Sequence, residues 1–86
     1  MSDIIFELPK NSRERIVLQL GEFNSHRFVD LRVYVIGNDG GPDIPTKKGL
    51  AVPLHLYPQF RAALAKVDAE LVAQGLLDEE DLTEAV

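Results

Sequence analysis

The chain has 86 residues, no cysteine, a formal net charge of −5 and 45% hydrophobic residues. That is one domain near the lower size limit for an unaided core, and with disulfides excluded the device left to strengthen it is oligomerisation. No apolar run approaches the roughly 20 residues a membrane span needs, and Met1-Ser2-Asp3 lacks the basic segment of a secretory signal, so a cytoplasmic protein with no membrane partner is expected. Asp78, Glu79, Glu80, Asp81 and Glu84 place five acids in the last nine residues, which leaves residues 1–77 with nine acids and nine bases. A neutral body can still bind nucleic acid if its bases cluster on one surface.

In chain order, residues 1–12 hold a short apolar patch, Ile4-Ile5-Phe6, before Pro9, and read as an N-terminal arm that could fray or add an edge strand. Arg15 to Phe23 alternates Ile16, Leu18 and Leu20 with Arg15, Val17, Gln19 and Gly21, which predicts a strand with the first set on the core face and the second outside. Asn24-Ser25-His26 supplies turn chemistry and implies an antiparallel hairpin with Phe23 near its tip. The run from Arg27 to Ile36 is rich in β-branched and aromatic residues and reads as the next strand. Its alternation puts Val29, Leu31, Val33 and Val35 on the core side and Phe28, Asp30, Arg32 and Tyr34 on the other.

Gly37 to Pro45 is dense in Gly, Asn, Asp and Pro and reads as a turn or long loop; its spacing lacks the alternating oxygen ligands and terminal Glu of a calcium loop. Thr46-Lys47-Lys48-Gly49 leads into Leu50-Ala51-Val52, a short strand ended by Pro53, with a further strand over residues 43–48 left open. Pro58 suits a first helical turn, and Phe60, Leu64, Val67 and Leu71 then form one apolar stripe on a helix of some 17 residues stopped by Gly75. Such a helix is about 25 Å long, enough to cover the core face of a small sheet. The acidic tail, residues 78–86, reads either as a short helix capped by Asp78 or as disordered.

The chain carries no Walker loop, no nucleophile elbow and no Cys/His cluster. His26 in a turn and His55 beside a proline have no acidic partner at a zinc-like spacing, so neither a metal nor a cofactor is expected, nor an enzyme. What remains is a sheet face offering Arg15, Gln19, Phe28, Arg32 and Tyr34, flanked by Phe23 and His26 at the hairpin and by Lys47 and Lys48 on the loop. Aromatics stack on unpaired bases while cations follow phosphates, which is how single strands are held. The competing reading is an ordinary amphipathic strand whose Arg32 and Asp30 form a cross-strand ion pair.

These residues resemble the positive-cofactor-four type of transcriptional coactivator, a single-stranded-DNA-binding family with bacterial and phage relatives. The resemblance covers roughly Arg15 to Leu71. It rests on Phe23 at the hairpin tip, on Val29-Asp30-Leu31-Arg32-Val33-Tyr34, and on Pro45-Thr46-Lys47-Lys48-Gly49-Leu50 leading through a short strand to a final helix. It implies an α+β fold over residues 13–77: a curved four-stranded antiparallel sheet followed by one C-terminal helix, paired into a homodimer whose sheets form a channel for single strands. Phe23, Arg32 and Lys47-Lys48 match DNA-contacting positions of the family. Gly21 stands where the coactivators tend to have a base, Asn24 and His26 replace lysines, and Val35 replaces a tryptophan, which removes charge and stacking surface. The expected partner is single-stranded DNA or RNA, with a protein of the transcription machinery as a further one. The alternative is a protein-interaction module on the same scaffold.

Overall fold

The structure, a computed structural model, describes residues 3–83. The element order is β1 (Asp3–Pro9), β2 (Glu14–Phe23), β3 (His26–Val35), β4 (Ile44–Pro53), α1 (Tyr57–Ala73) and α2 (Glu79–Thr83). The chain divides into a strand unit ending at His55 and a helical unit beginning at Leu56.

In the first unit the strands form a curved four-stranded antiparallel sheet in sequential order, β1-β2-β3-β4. The segment Asp3–Pro9, read as an arm that could add an edge strand, is that edge strand, paired to β2 with a register shift at Ile5. β4 is longer than the expected Leu50–Val52: it starts at Ile44, with Ile44 and Pro45 opposite Val35 and Tyr34, and takes in Lys47 and Lys48, expected on a loop, across a register shift before Gly49. Pro45 and Pro53 are tolerated there since β4 is the other sheet edge, where a missing N–H breaks no ladder.

Between β2 and β3 the register is continuous from Glu14 opposite Val35 to Phe23 opposite His26. Two alternating faces follow from it. On one, Ile16, Leu18 and Leu20 oppose Val33, Leu31 and Val29; on the other, Arg15, Val17, Gln19 and Gly21 oppose Tyr34, Arg32, Asp30 and Phe28.

On β2 and β3 the depth of burial departs from the expected assignment, although Val52 of β4, opposite Val29, is buried on the face expected to be core. Val17, placed outside by alternation, is 0% exposed, and Gln19, Gly21 and Asp30 beside it are buried too, whereas Ile16, Leu18, Leu20, Val29, Leu31 and Val33 are only half-buried. Cross-strand partners on the mixed face cover one another. The Phe28 ring lies so close over Gly21 that a Cβ there would stand 2.4 Å from Phe28 Cζ.

In the second unit, Pro58 opens α1 and a Schellman motif closes it: Gly75 takes φ 72°, its N–H donates to the Val72 carbonyl at 3.0 Å, and the Leu76 N–H donates to Leu71 at 2.9 Å. Beyond Gly75, Glu79–Thr83 form α2. Asp78 caps it, its N–H donating to Asp81 Oδ2 at 2.9 Å in the manner of a capping box. Asp68, Ala69 and Val72 of α1 line a groove with Glu79 and Leu82 of α2. Glu84 lies outside the described residues.

Candidate nucleic-acid interface

The hairpin between β2 and β3 turns on two residues, Asn24 at φ 51° and Ser25 at φ 67°. Two successive positive φ angles are those of a type I′ turn, whose twist matches that of the flanking strands, and Asn is among the residues that tolerate them. The turn leaves Phe23 71% exposed. Beside it Phe23, Asn24, His26, Arg27, Phe28, Ala51 and Pro53 line a shallow, mainly apolar notch of about 290 Å³. Phe28 reaches the notch because Gly21 gives its ring room, and Pro53 because it pairs with Phe28 from β4. Three predicted site residues, Phe23, His26 and Phe28, are thus brought together at one end of the sheet.

A second predicted group meets on the mixed face, its polar atoms engaged with one another. Gln19 Nε2 donates to Asp30 Oδ2 at 2.9 Å and to the Tyr34 hydroxyl at 3.1 Å. Arg32 Nε donates to Asp30 Oδ2 at 3.0 Å and its Nη2 to Asp30 Oδ1 at 2.9 Å, a forked pair, while its Nη1 donates to the Thr46 carbonyl at 2.9 Å. The hydrogen bond to Asp30 raises the guanidinium pKa above its ordinary value, so Arg32 stays a cation whose charge is answered inside the sheet. The ion pair anticipated across strands is real but runs along β3, between residues two apart.

Arg15 is likewise engaged. It pairs with Glu7 of β1 at 2.9 Å and with Asp43 of the β3–β4 loop, and Asp43 also accepts from the Gly37 N–H at 3.0 Å. Lys48 is mostly exposed, 3.9 Å from Glu14, and Lys47 forms no ion pair among the described residues. The face that alternation presented as basic is therefore close to neutral. The cations held less firmly are Lys47, Lys48 and Arg27, and of these Arg27, 3.6 Å from Asp3, stands in register with Val29 on the opposite face.

Arg27, Ala51 and Pro53 were not among the predicted site residues. The two-residue turn is the signal that could have placed Arg27, since it fixes Phe23 opposite His26 and Glu22 opposite Arg27. Ala51 and Pro53 depend on the pairing of β4, which no local signal sets. Among the described residues no group of three or more His, Asp or Glu side chains could hold a metal, and no helix is long and apolar enough to cross a membrane.

The family model described as Transcriptional Coactivator p15 (PC4) matches residues 10–63. The crystal structure of a PC4 homologue from Burkholderia pseudomallei, in its tetragonal form, superposes with a TM-score of 0.69 at 25% identity, covering 79% of this chain and 98% of that one. A bacteriophage T5 homologue of the eukaryotic coactivator, implicated in recombination-dependent DNA replication, superposes with a TM-score of 0.64 at 21% identity over 95% of this chain and 96% of its own, and speaks for the fold. None of the curated proteins matches.

Proposed function

This chain belongs to the transcriptional coactivator p15 (PC4) family, and on that premise we propose that it is a non-enzymatic protein that binds single-stranded DNA as a homodimer and acts on melted DNA in transcription or replication. The observation that carries this reading is the notch at the hairpin end, where the exposed Phe23 stands beside Phe28 and Pro53 with Arg27 and His26 at the rim. An apolar, aromatic-walled notch takes the face of an unpaired base, and a cation at its rim takes the adjoining phosphate. A base pair hides that face in its stack, so the same geometry selects against duplex.

Stacking rather than charge carries the affinity. Removing an aromatic side chain that stacks on a base costs about 1–3 kcal/mol, whereas two of the four basic residues predicted as contacts, Arg15 and Arg32, are already answered by carboxylates. Fluorescence anisotropy with single- and double-stranded oligonucleotides at two salt concentrations tests this. The single strand should bind with a shallow salt dependence and the duplex should not, and Phe23→Ala should weaken binding by about 5- to 150-fold, the equivalent of about 1–3 kcal/mol. Binding of the duplex as tightly as the single strand, or indifference to Phe23→Ala, would refute the reading. The internal neutralisation of Arg15 and Arg32 also suits a protein partner, and absence of oligonucleotide binding at low salt would favour that alternative.

A further inference from the structure

We infer that Glu7 and Asp43 are affinity-limiting residues of the single-strand site: they occupy the Arg15 guanidinium where a phosphate would otherwise sit and so confine the strand's grip to the hairpin half of the sheet. The inference rests on the single-strand reading above and adds to it which residues limit the ligand's footprint.

Three observations carry it. Arg15 lies on the same sheet face as Phe28 and in register opposite Tyr34, so a strand leaving the notch over the half-buried Phe28, Arg32 and Tyr34 side chains would reach it. Carboxylates from two different elements converge on it, one from β1 and one from the β3–β4 loop, and both meet the same Nη2 atom. The three side chains are partly open to solvent, at 33% for Arg15, 37% for Glu7 and 24% for Asp43, so a phosphate oxygen can approach and compete.

The competition is between like acceptors. A phosphate and a carboxylate both take the guanidinium fork, but two carboxylates already tethered by the fold face a ligand that must arrive from solution and lose its own freedom. Two negative charges beside the guanidinium also repel the incoming phosphate. Arg15 therefore contributes little in the native protein, and it becomes a phosphate contact once the carboxylates are neutralised.

The test uses Glu7→Gln, Asp43→Asn and the double variant. Asn at position 43 keeps the oxygen that accepts from the Gly37 N–H, so the loop retains its anchor. Single-strand affinity and its salt dependence are measured for each variant with and without Arg15→Ala. In the native background Arg15→Ala should leave affinity within about twofold. In the double variant, affinity should rise about tenfold at low salt and the salt slope should steepen by about 0.7 logarithmic units for the freed contact, and Arg15→Ala should then abolish the steepening. A control that removes two acids elsewhere, Glu79→Gln with Glu80→Gln, should raise affinity less and show no dependence on Arg15. An equal rise in the control, or a gain that survives Arg15→Ala, would overturn the inference. So would unchanged affinity in a double variant whose circular dichroism matches the native protein while the native protein itself binds. If neither protein binds a single strand, the function proposed above fails with it.

Discussion

Gly21 shows how far one side chain can be decided by its neighbour across a ladder. A Cβ at that position would stand 2.4 Å from Phe28 Cζ and 2.5 Å from Cε2, so any larger residue must turn the ring away. A basic side chain at that position is excluded as long as Phe28 covers it, and the two choices belong together. Gly21→Ala should therefore destabilise the protein by about 1–3 kcal/mol, the usual cost of overpacking, and the same change should be close to neutral in a Phe28→Ala background. Urea midpoints of the four proteins check this, with additivity of the two changes as the contrary outcome. Glu14 offers a prediction about pH. The hydrogen bond from Asn11 Nδ2 at 2.9 Å, followed by the charges of Lys10 and Lys48, lowers its pKa below the ordinary 4.5. A carboxyl depressed in the folded state contributes stability that is fully present above its unfolded value and is lost as pH falls through its folded value. Between about pH 5 and about pH 3, Glu14→Gln should therefore lose less of its urea midpoint than the native protein does. A parallel decline in both would remove Glu14 from the acid limb.

The hairpin was legible in the sequence because local chemistry decides it. A two-residue turn at Asn24-Ser25 fixes the β2–β3 register, and the register fixes which residues oppose one another. Which face is buried was not legible. Alternation separates Val17 from Ile16 but says nothing of curvature or of cross-strand cover, and both sets contain apolar residues. The ties on Arg15 and Arg32 divide in the same way: Asp30 is two residues from Arg32 and could be anticipated, whereas Glu7 and Asp43 reach Arg15 only through the pairing of β1 and the folding of the β3–β4 loop. In α1 the stripe Phe60, Leu64, Val67 and Leu71 was readable from its spacing, yet Leu64 and Val67 remain 48% and 49% exposed. A helix that leaves half of its apolar stripe in water gains from a partner, in keeping with a homodimer. Leu64→Glu with Val67→Glu should shift sedimentation from dimer to monomer at micromolar concentration and lower the thermal midpoint in a concentration-dependent way. A dimer unaffected by both charges would place its interface elsewhere.

At the scale of the molecule, charge governs what a neutral sheet can hold. The chain carries −5 overall, and the five acids after Leu77 account for all of it. Asp78 to Asp81 are fixed in and before α2 rather than strung along a loose tail, so a direct, flexible competition with the ligand is not what they offer. Their remaining influence is the field. A net negative protein meets a polyanion with a repulsion that acts at range in dilute salt and fades when the screening length falls to about 8 Å at physiological ionic strength. Truncation after Leu77 leaves nine acids and nine bases, and it should raise single-strand affinity in dilute salt and leave it unchanged at physiological salt and above. The slope of affinity against salt should steepen accordingly, since a repulsive contribution that weakens with screening has been removed while the contacts stay the same. Equal affinities at both extremes would show that the acids do not reach the ligand by field or by contact. A gain that persists at high salt would instead mean that α2 covers part of the binding surface, and a loss of the dimer would assign the groove between α1 and α2 to the folded core.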